Sequence, residues 1–245
     1  VNVLTGPGKE VGEALATHPG VDKVAFTGET GTGRRIMELA SGTIKRVTLE
    51  LGGKSPNIVF PDANLDEAVD GSLFAIFTNA GQRCTARTRL FLHEDIHDKF
   101  LSEFVTKAQK IRVGDPLLHE TQMGPVISPT QANRILHYCE RAASEGAELV
   151  SGGRRIADGD LAAGNFLAPT IFDGVRQDMH LAQEEVFGPV LAVIPFKTED
   201  EMVANANATI YGLAATIWTN DIKRAHTLAR RIQAGNISIN YPTVN

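Results

Sequence analysis

The sequence predicts an α/β fold: a three-layer, mostly parallel sheet with helices on both faces. Two observations carry this. Short β-branched runs alternate with stretches of helical periodicity along the chain, and such alternation builds strand–helix–strand units. Composition is also that of an ordinary globular protein, 42% apolar and 22% charged over 245 residues, with enough apolar surface to offset the entropy of ordering.

The elements follow in order. Residues 21–26 read as a strand and 32–41 as a helix. Residues 46–51 and 57–60 read as strands. Apolar residues Leu65, Ala68, Val69, Leu73, Ile76 and Phe77 give helical spacing over 65–79. Residues 89–93 form a strand, 96–111 a helix and 129–145 a long amphipathic helix. Strands are expected at 186–196, 214–219 and 236–240, with helices at 199–207 and 223–233. For the last helix, Asn220 or Asp221 can cap the start and Gly235 can close the end. A domain boundary falls near Gly52-Gly53: residues 1–51 read as one half-wound nucleotide fold, and 52–245 as the rest.

Charge and cysteine usage exclude several functions. The chain carries 24 Lys+Arg against 29 Asp+Glu, a net charge of −5, whereas a nucleic-acid binder usually shows a basic patch. Its longest apolar run, residues 187–196, is broken by Gly188, Pro189 and Pro195, well short of the roughly 18–20 residues that span a bilayer. No membrane partner is expected. Two cysteines exclude a disulfide scaffold and fit a reducing compartment, so a cytoplasmic location is expected. The chain opens Val1-Asn2-Val3 with no Met and stops just after a strand, so both ends read as cut.

Residues 24–35, VAFTGETGTGRR, read as strand, glycine loop and helix. Backbone N–H groups in such a loop can approach phosphate oxygens, aided by the helix N-terminus. Gly28 and Gly33 have P-loop spacing, but Arg34 and Arg35 replace the phosphate lysine and the magnesium hydroxyl. A P-loop is therefore disfavoured, and an ordinary turn stands as the alternative. Residues 6–12, GPGKEVG, are one residue too long for a dinucleotide fingerprint.

Two segments carry candidate chemistry. Glu50 sits between Leu49 and Leu51 and ahead of Gly52-Gly53. Apolar neighbours would desolvate it and raise its pKa toward that of a useful base; an edge-strand Glu facing water is the plainer alternative. Cys84 follows a helix in a Gly/polar loop with Arg83 and Arg87 close in sequence, and cationic neighbours favour a reactive thiolate. Cys139 reads as a buried small hydrophobe. No C-x-x-C or H-x-x-x-H pattern offers a metal site. His93 and His97 span a strand–helix junction and are expected at the surface. Glu184-Glu185, taken alone, read as a solvated turn.

Four segments in this order resemble the aldehyde dehydrogenase superfamily: FTGETGTG (26–33), LELGGKSP (49–56), GQRC (81–84) and EEVFGPV (184–190). The resemblance extends to YGLA (211–214) and QAGNI (233–237), and Cys84 follows Glu50 by 34 positions. It implies an aldehyde dehydrogenase-like catalytic domain joined to the end of a Rossmann-like domain. It implies Cys84 as nucleophile toward an aldehyde substrate, NAD or NADP as hydride acceptor, and Glu50 as the base for hydrolysis to a carboxylic acid. Gly28, Glu29, Thr30, Gly31, Thr32 and Gly33 match the loop at the cofactor phosphates and nicotinamide half. Leu51 and Gly52 match backbone neighbours of the nicotinamide. Glu185 matches the acid that holds the nicotinamide ribose, with Phe187 packed beside it.

Many relatives carry Ser where this chain has Glu29, and Glu29 is expected to cap the helix through the Thr32 or Gly31 N–H. Members of the family are longer, so the resemblance implies a partial chain, and a homo-oligomer (dimer or tetramer) for the full-length form. A folded but weakly active or inactive piece that does not bind cofactor alone is the second expectation. CoA-acylating relatives usually lack the base, so Glu50 favours hydrolysis over acylation.

Overall fold

A computed structural model describes residues 1–242. Residues 243–245, part of the expected cut end, lie outside the described residues. The chain packs as two units, Val1–Gly52 and the remainder from Gly53 onward.

The first unit holds α1 (Gly8–Thr17), β1 (Lys23–Thr27), α2 (Thr30–Ser41) and β2 (Arg46–Glu50). β1 and β2 pair in parallel, with Thr27 opposite Glu50. The 6–12 segment is no phosphate loop: Pro7 O accepts from the Glu10 and Val11 N–H groups and starts α1. Proline suits this place, where a helix has no use for its missing donor.

The second unit carries the larger sheet. Its strands are β3 (Pro56–Val59), β4 (Arg89–His93), β5 (Glu148–Ser151), β6 (Thr170–Asp173), β7 (Val190–Phe196), β8 (Ala214–Trp218) and β9 (Asn236–Ile239). Their order is β5-β6-β7-β4-β3-β8-β9, and every pairing is parallel except β5 with β6. The central strands are buried along nearly their whole length, as expected where both faces are covered. Their buried polar groups are paired: Trp218 Nε1 donates to Asn57 Oδ1 at 2.8 Å, and Asn57 Nδ2 to Ser72 Oγ at 2.6 Å.

The helices are α3 (Leu65–Phe77), α4 (His97–Ala108), α5 (Pro129–Ser144), α6 (His180–Gln183), α7 (Glu199–Asn207) and α8 (Ile222–Arg231). Asp221 caps α8, its carboxylate accepting from Lys223 and Arg224 N–H. Gly235 does not close that helix. Ile232 is already extended, and the Gly235 N–H donates to Gly212 O instead, entering β9.

Four further expectations are corrected. The strand expected from 186 starts at Val190, because Phe187 is left-handed (φ 56°) and Pro189 precedes the strand. The helix from Leu65 stops at Phe77, because Asn79 and Ala80 are left-handed. β5 and β6 carry no expected strand. His93 and His97 are half-buried: the His93 ring meets Phe196 edge-on, and His97 Nε2 lies 3.0 Å from Asp173 Oδ1.

Candidate active site

In the first unit the glycine segment is shorter than a loop. β1 ends at Thr27, and α2 begins at Thr30 with Glu29 as its N-cap. Glu29 Oε2 accepts from the Thr32 N–H at 3.1 Å, and Glu29 O from the Gly33 N–H at 3.0 Å. The Thr32 cap is the expected one, and a carboxylate there is favoured by the helix dipole. Gly28 N–H donates to Glu50 O, and Gly33 packs against the Leu51 side chain. Residues 28, 33, 50 and 51 therefore meet within this unit. The Glu50 side chain is exposed. The expected desolvation is absent, because strand alternation turns Val47 and Leu49 inward and Glu50 outward.

In the second unit three segments converge. Cys84 lies in a turn closed by the Ala86 N–H on Arg83 O, and its residue is half-buried. Ahead of it, Asn79, Ala80 and Gly81 are left-handed in succession (φ 53°, 52° and 68°). Such backbone costs on the order of 1–3 kcal/mol per strained residue and gathers at functional sites. Gly81 has a second reason to lack a side chain, since a Cβ there would overlap the Gly188 carbonyl. Gly53 is likewise pressed against the thiol loop, where a Cβ would overlap Cys84 O. The Gly53 N–H donates to Glu185 Oε1 at 3.1 Å. Backbone approach at two glycines thus brings Gly53, Cys84, Glu185 and Gly188 together.

Arg87 does not serve the thiol. Its side chain is buried, and Nε donates to Thr216 Oγ1 and Nη1 to Thr85 O. Burial, with Arg83 adding repulsion, pushes it down to about 10. Cys139 is buried in α5, and desolvation pushes its thiol up to about 12. Burial thus disfavours its thiolate form.

The acid loop rests on α5. Ser128 Oγ caps the helix at the Gln131 N–H. Gln131 Nε2 donates to both Val186 O (3.0 Å) and Phe187 O (2.9 Å), spanning the left-handed residue. Ile135 packs on Gly188, and Tyr138 OH donates to Glu184 Oε2 at 2.6 Å. Gln82, inside the thiol segment, accepts from the Ile127 N–H just before the helix. Glu184 and Glu185 are therefore half-buried and held, not a solvated turn. The readable signal is Gln131, Ile135 and Tyr138 at i, i+4 and i+7, one face of a helix.

Lys54 is the other residue the motifs concealed. It is 1% exposed, and Nζ has no hydrogen-bond partner among the described residues. Burial pushes its amine down to about 7; Arg89 pushes the same way, while Glu185 and Glu184 oppose. Arg89 is committed elsewhere, donating to Lys54 O, Asn205 O and Ala206 O. Among the described residues no group of three or more His, Cys, Asp or Glu could hold a metal ion, and no helix is long and apolar enough to cross a membrane.

A largely parallel α/β sheet with a thiol turn and an acid loop at the start of its strands defines a class of thiol-bearing α/β protein. Comparison with known proteins makes it specific. The chain belongs to the aldehyde dehydrogenase family, which it matches over residues 1–245. It is 47% identical to the betaine aldehyde dehydrogenase of Bacillus subtilis over 239 residues, covering 98% of this chain and 49% of that one. A structure from Burkholderia cenocepacia, described as a candidate aldehyde dehydrogenase, is 51% identical with a TM-score of 0.96, covering 98% and 49%. The betaine aldehyde dehydrogenase of Staphylococcus aureus, solved in complex with NAD+, is 40% identical with a TM-score of 0.97, covering 99% and 48%. The chain spans about half the length of the curated relatives it matches.

Proposed function

We propose that this chain carries the catalytic thiol of an NAD(P)-dependent aldehyde dehydrogenase that yields a carboxylic acid. The observation that carries the reading is the convergence of Gly53, Cys84, Glu185 and Gly188 through glycine backbones that admit no side chain. In this reading the Cys84 sulfur adds to the aldehyde carbonyl carbon, and the carbonyl oxygen takes up the negative charge. The Cys84 N–H stabilises that oxyanion. A bound NAD(P)+ would supply the acceptor for the hydride that the adduct carbon must lose to become a thioester. Glu50 takes a proton from water, the hydroxide adds to the thioester carbon and expels the Cys84 thiolate, the carboxylic acid is released, and Glu50 keeps the proton.

The chain's residues fit the nicotinamide half of that cofactor. Glu185 presents a carboxylate, a good acceptor for a ribose diol, with Phe187 beside it. Gly28, Glu29, Thr30, Gly31, Thr32 and Gly33 form a strand-to-helix turn of the kind that faces phosphate, and Leu51 and Gly52 follow Glu50 as nicotinamide neighbours. Residues 1–51 are assigned to the cofactor domain and 52–245 to the catalytic domain. The substrate is a small-molecule aldehyde, the full-length form is a homo-oligomer (dimer or tetramer), and the two free cysteines suit the cytoplasm.

Two observations favour weak turnover by this chain alone. Glu50 is exposed, and Glu29 already occupies the Thr32 N–H that a phosphate could use. Calorimetric titration should then show little NAD+ binding; a micromolar dissociation constant would contradict this. The site itself is tested by iodoacetamide labelling with peptide mapping. Cys84 should react faster than Cys139, and equal rates would remove Cys84 as the nucleophile.

A further inference from the structure

The segment Gly53-Lys54-Ser55 is tied on several sides. The Gly53 N–H holds Glu185 Oε1, and the Gly53 backbone lies against Cys84 O. Arg89 on β4 donates to the Lys54 carbonyl at 2.8 Å. Within this fixed frame the Lys54 ammonium is buried and makes no hydrogen bond among the described residues. A buried ammonium without a partner is a liability to stability that an apolar side chain of similar size would avoid. Its presence at this place calls for another role.

The groups that face it define one. Arg89 is the charged group from β4, and its guanidinium is spent on three backbone carbonyls. Tyr211, ahead of β8, shares with Lys54 the lining of a small internal space. Glu184 and Glu185, ahead of β7, are the acids that act on Lys54 by charge. From the helices beside them, Tyr138 OH donates to Glu184 Oε2 at 2.6 Å and His180 Nε2 lies 3.8 Å from Glu184 Oε1, while Arg134 Nη2 donates to Glu185 O. The Glu185 carboxylate grips the Gly53 amide, next in sequence to the Lys54 cation. We propose that Lys54 is a positioning residue: its buried ammonium draws the Glu184–Glu185 segment toward the Gly53 amide and so sets the orientation of Glu185. This rests on the reading of Glu185 as the ribose acid and adds the group that holds it. Charge, not a hydrogen bond, transmits the effect, so it should vanish when Lys54 loses its proton.

Burial brings that loss to about pH 7, within an accessible range. The Gly53 N–H is the direct reporter. Only two Gly–Gly pairs occur in the sequence, 52–53 and 152–153. Labelling glycine with 13C at the carbonyl and 15N therefore gives two amide-to-preceding-carbonyl signals, Gly53 and Gly153. Gly153 donates to Thr170 Oγ1 and serves as the control. Across pH 5.5 to 9 the Gly53 amide proton should titrate with a midpoint near 7, moving upfield as the bond to Glu185 weakens. Lys54→Met should flatten the profile, and Lys54→Arg should flatten it at the bonded, low-pH position. Glu185→Gln should also abolish the change. An unshifted Gly153 signal in each variant shows that the fold is intact. A flat Gly53 profile in the unmodified chain overturns the proposal, as does the same midpoint in Lys54→Met. The readout needs neither thiol chemistry nor cofactor. A failed Cys84 assignment would leave it untouched, so the two failures are distinguishable.

Discussion

Gly81 shows how much of the site hangs on single residues. It is left-handed and faces the Gly188 carbonyl with no room for a methyl group. Gly159 is also left-handed, but a Cβ there would meet open space. Gly159→Ala should lose only the conformational term, roughly 1 kcal/mol. Gly81→Ala should lose several times that in urea unfolding and slow the labelling of Cys84 as well. Equal losses would mean that the close approach carries no weight. At this scale the sequence was legible where a capping carboxylate meets a helix start, as for the Glu29 cap on the Thr32 N–H. It misled where side-chain direction matters. The flanking leucines pointed to a desolvated Glu50, and the plainer alternative, a strand Glu facing water, is the one that holds, since strand alternation turns it outward. Arg87 is near Cys84 in sequence and is spent on β8.

At the scale of elements, α5 is the brace of the acid loop. Gln131→Ala would leave the Val186 and Phe187 carbonyls without their donor, costing on the order of 1–3 kcal/mol. Hydrogen exchange should rise over residues 184–190 while the β4 and β8 peptides stay protected; uniform exchange would refute the brace. The central strands were legible because burial on both sides produces apolar runs. β5 and β6 were not, since each has four residues and β5 is exposed or half-exposed. Their pairing joins segments distant in the chain and leaves no local period. The start of β7 was misplaced because Val186 and Phe187 look like strand residues, and only the left-handed Phe187 shows otherwise.

For the whole molecule, Lys54 links the site to global stability. Its folded value, about 7, lies below the ordinary 10.5. Between these values the unfolded chain binds more protons, so this residue makes stability rise with pH. Below about 7 both states are protonated and its burial penalty is full. Lys54→Met should therefore gain most in melting temperature near pH 6 and progressively less toward pH 9. A gain independent of pH would contradict the lowered value. The order of the four motifs made the family legible from the sequence. The convergence of the second-unit segments was not legible, because it depends on two backbone contacts between loops more than thirty residues apart.

The central claim is that Cys84 is the nucleophile and Glu50 the base that frees it. Acyl transfer from p-nitrophenyl acetate tests this without cofactor: sulfur takes the acetyl group, nitrophenolate leaves, and water then cleaves the thioester. Mass mapping of the quenched reaction should find the acetyl group on Cys84, longer-lived in Glu50→Gln and absent in Cys84→Ser. Acetylation of Cys139 instead, or release of nitrophenolate undiminished in Cys84→Ser, would contradict the account.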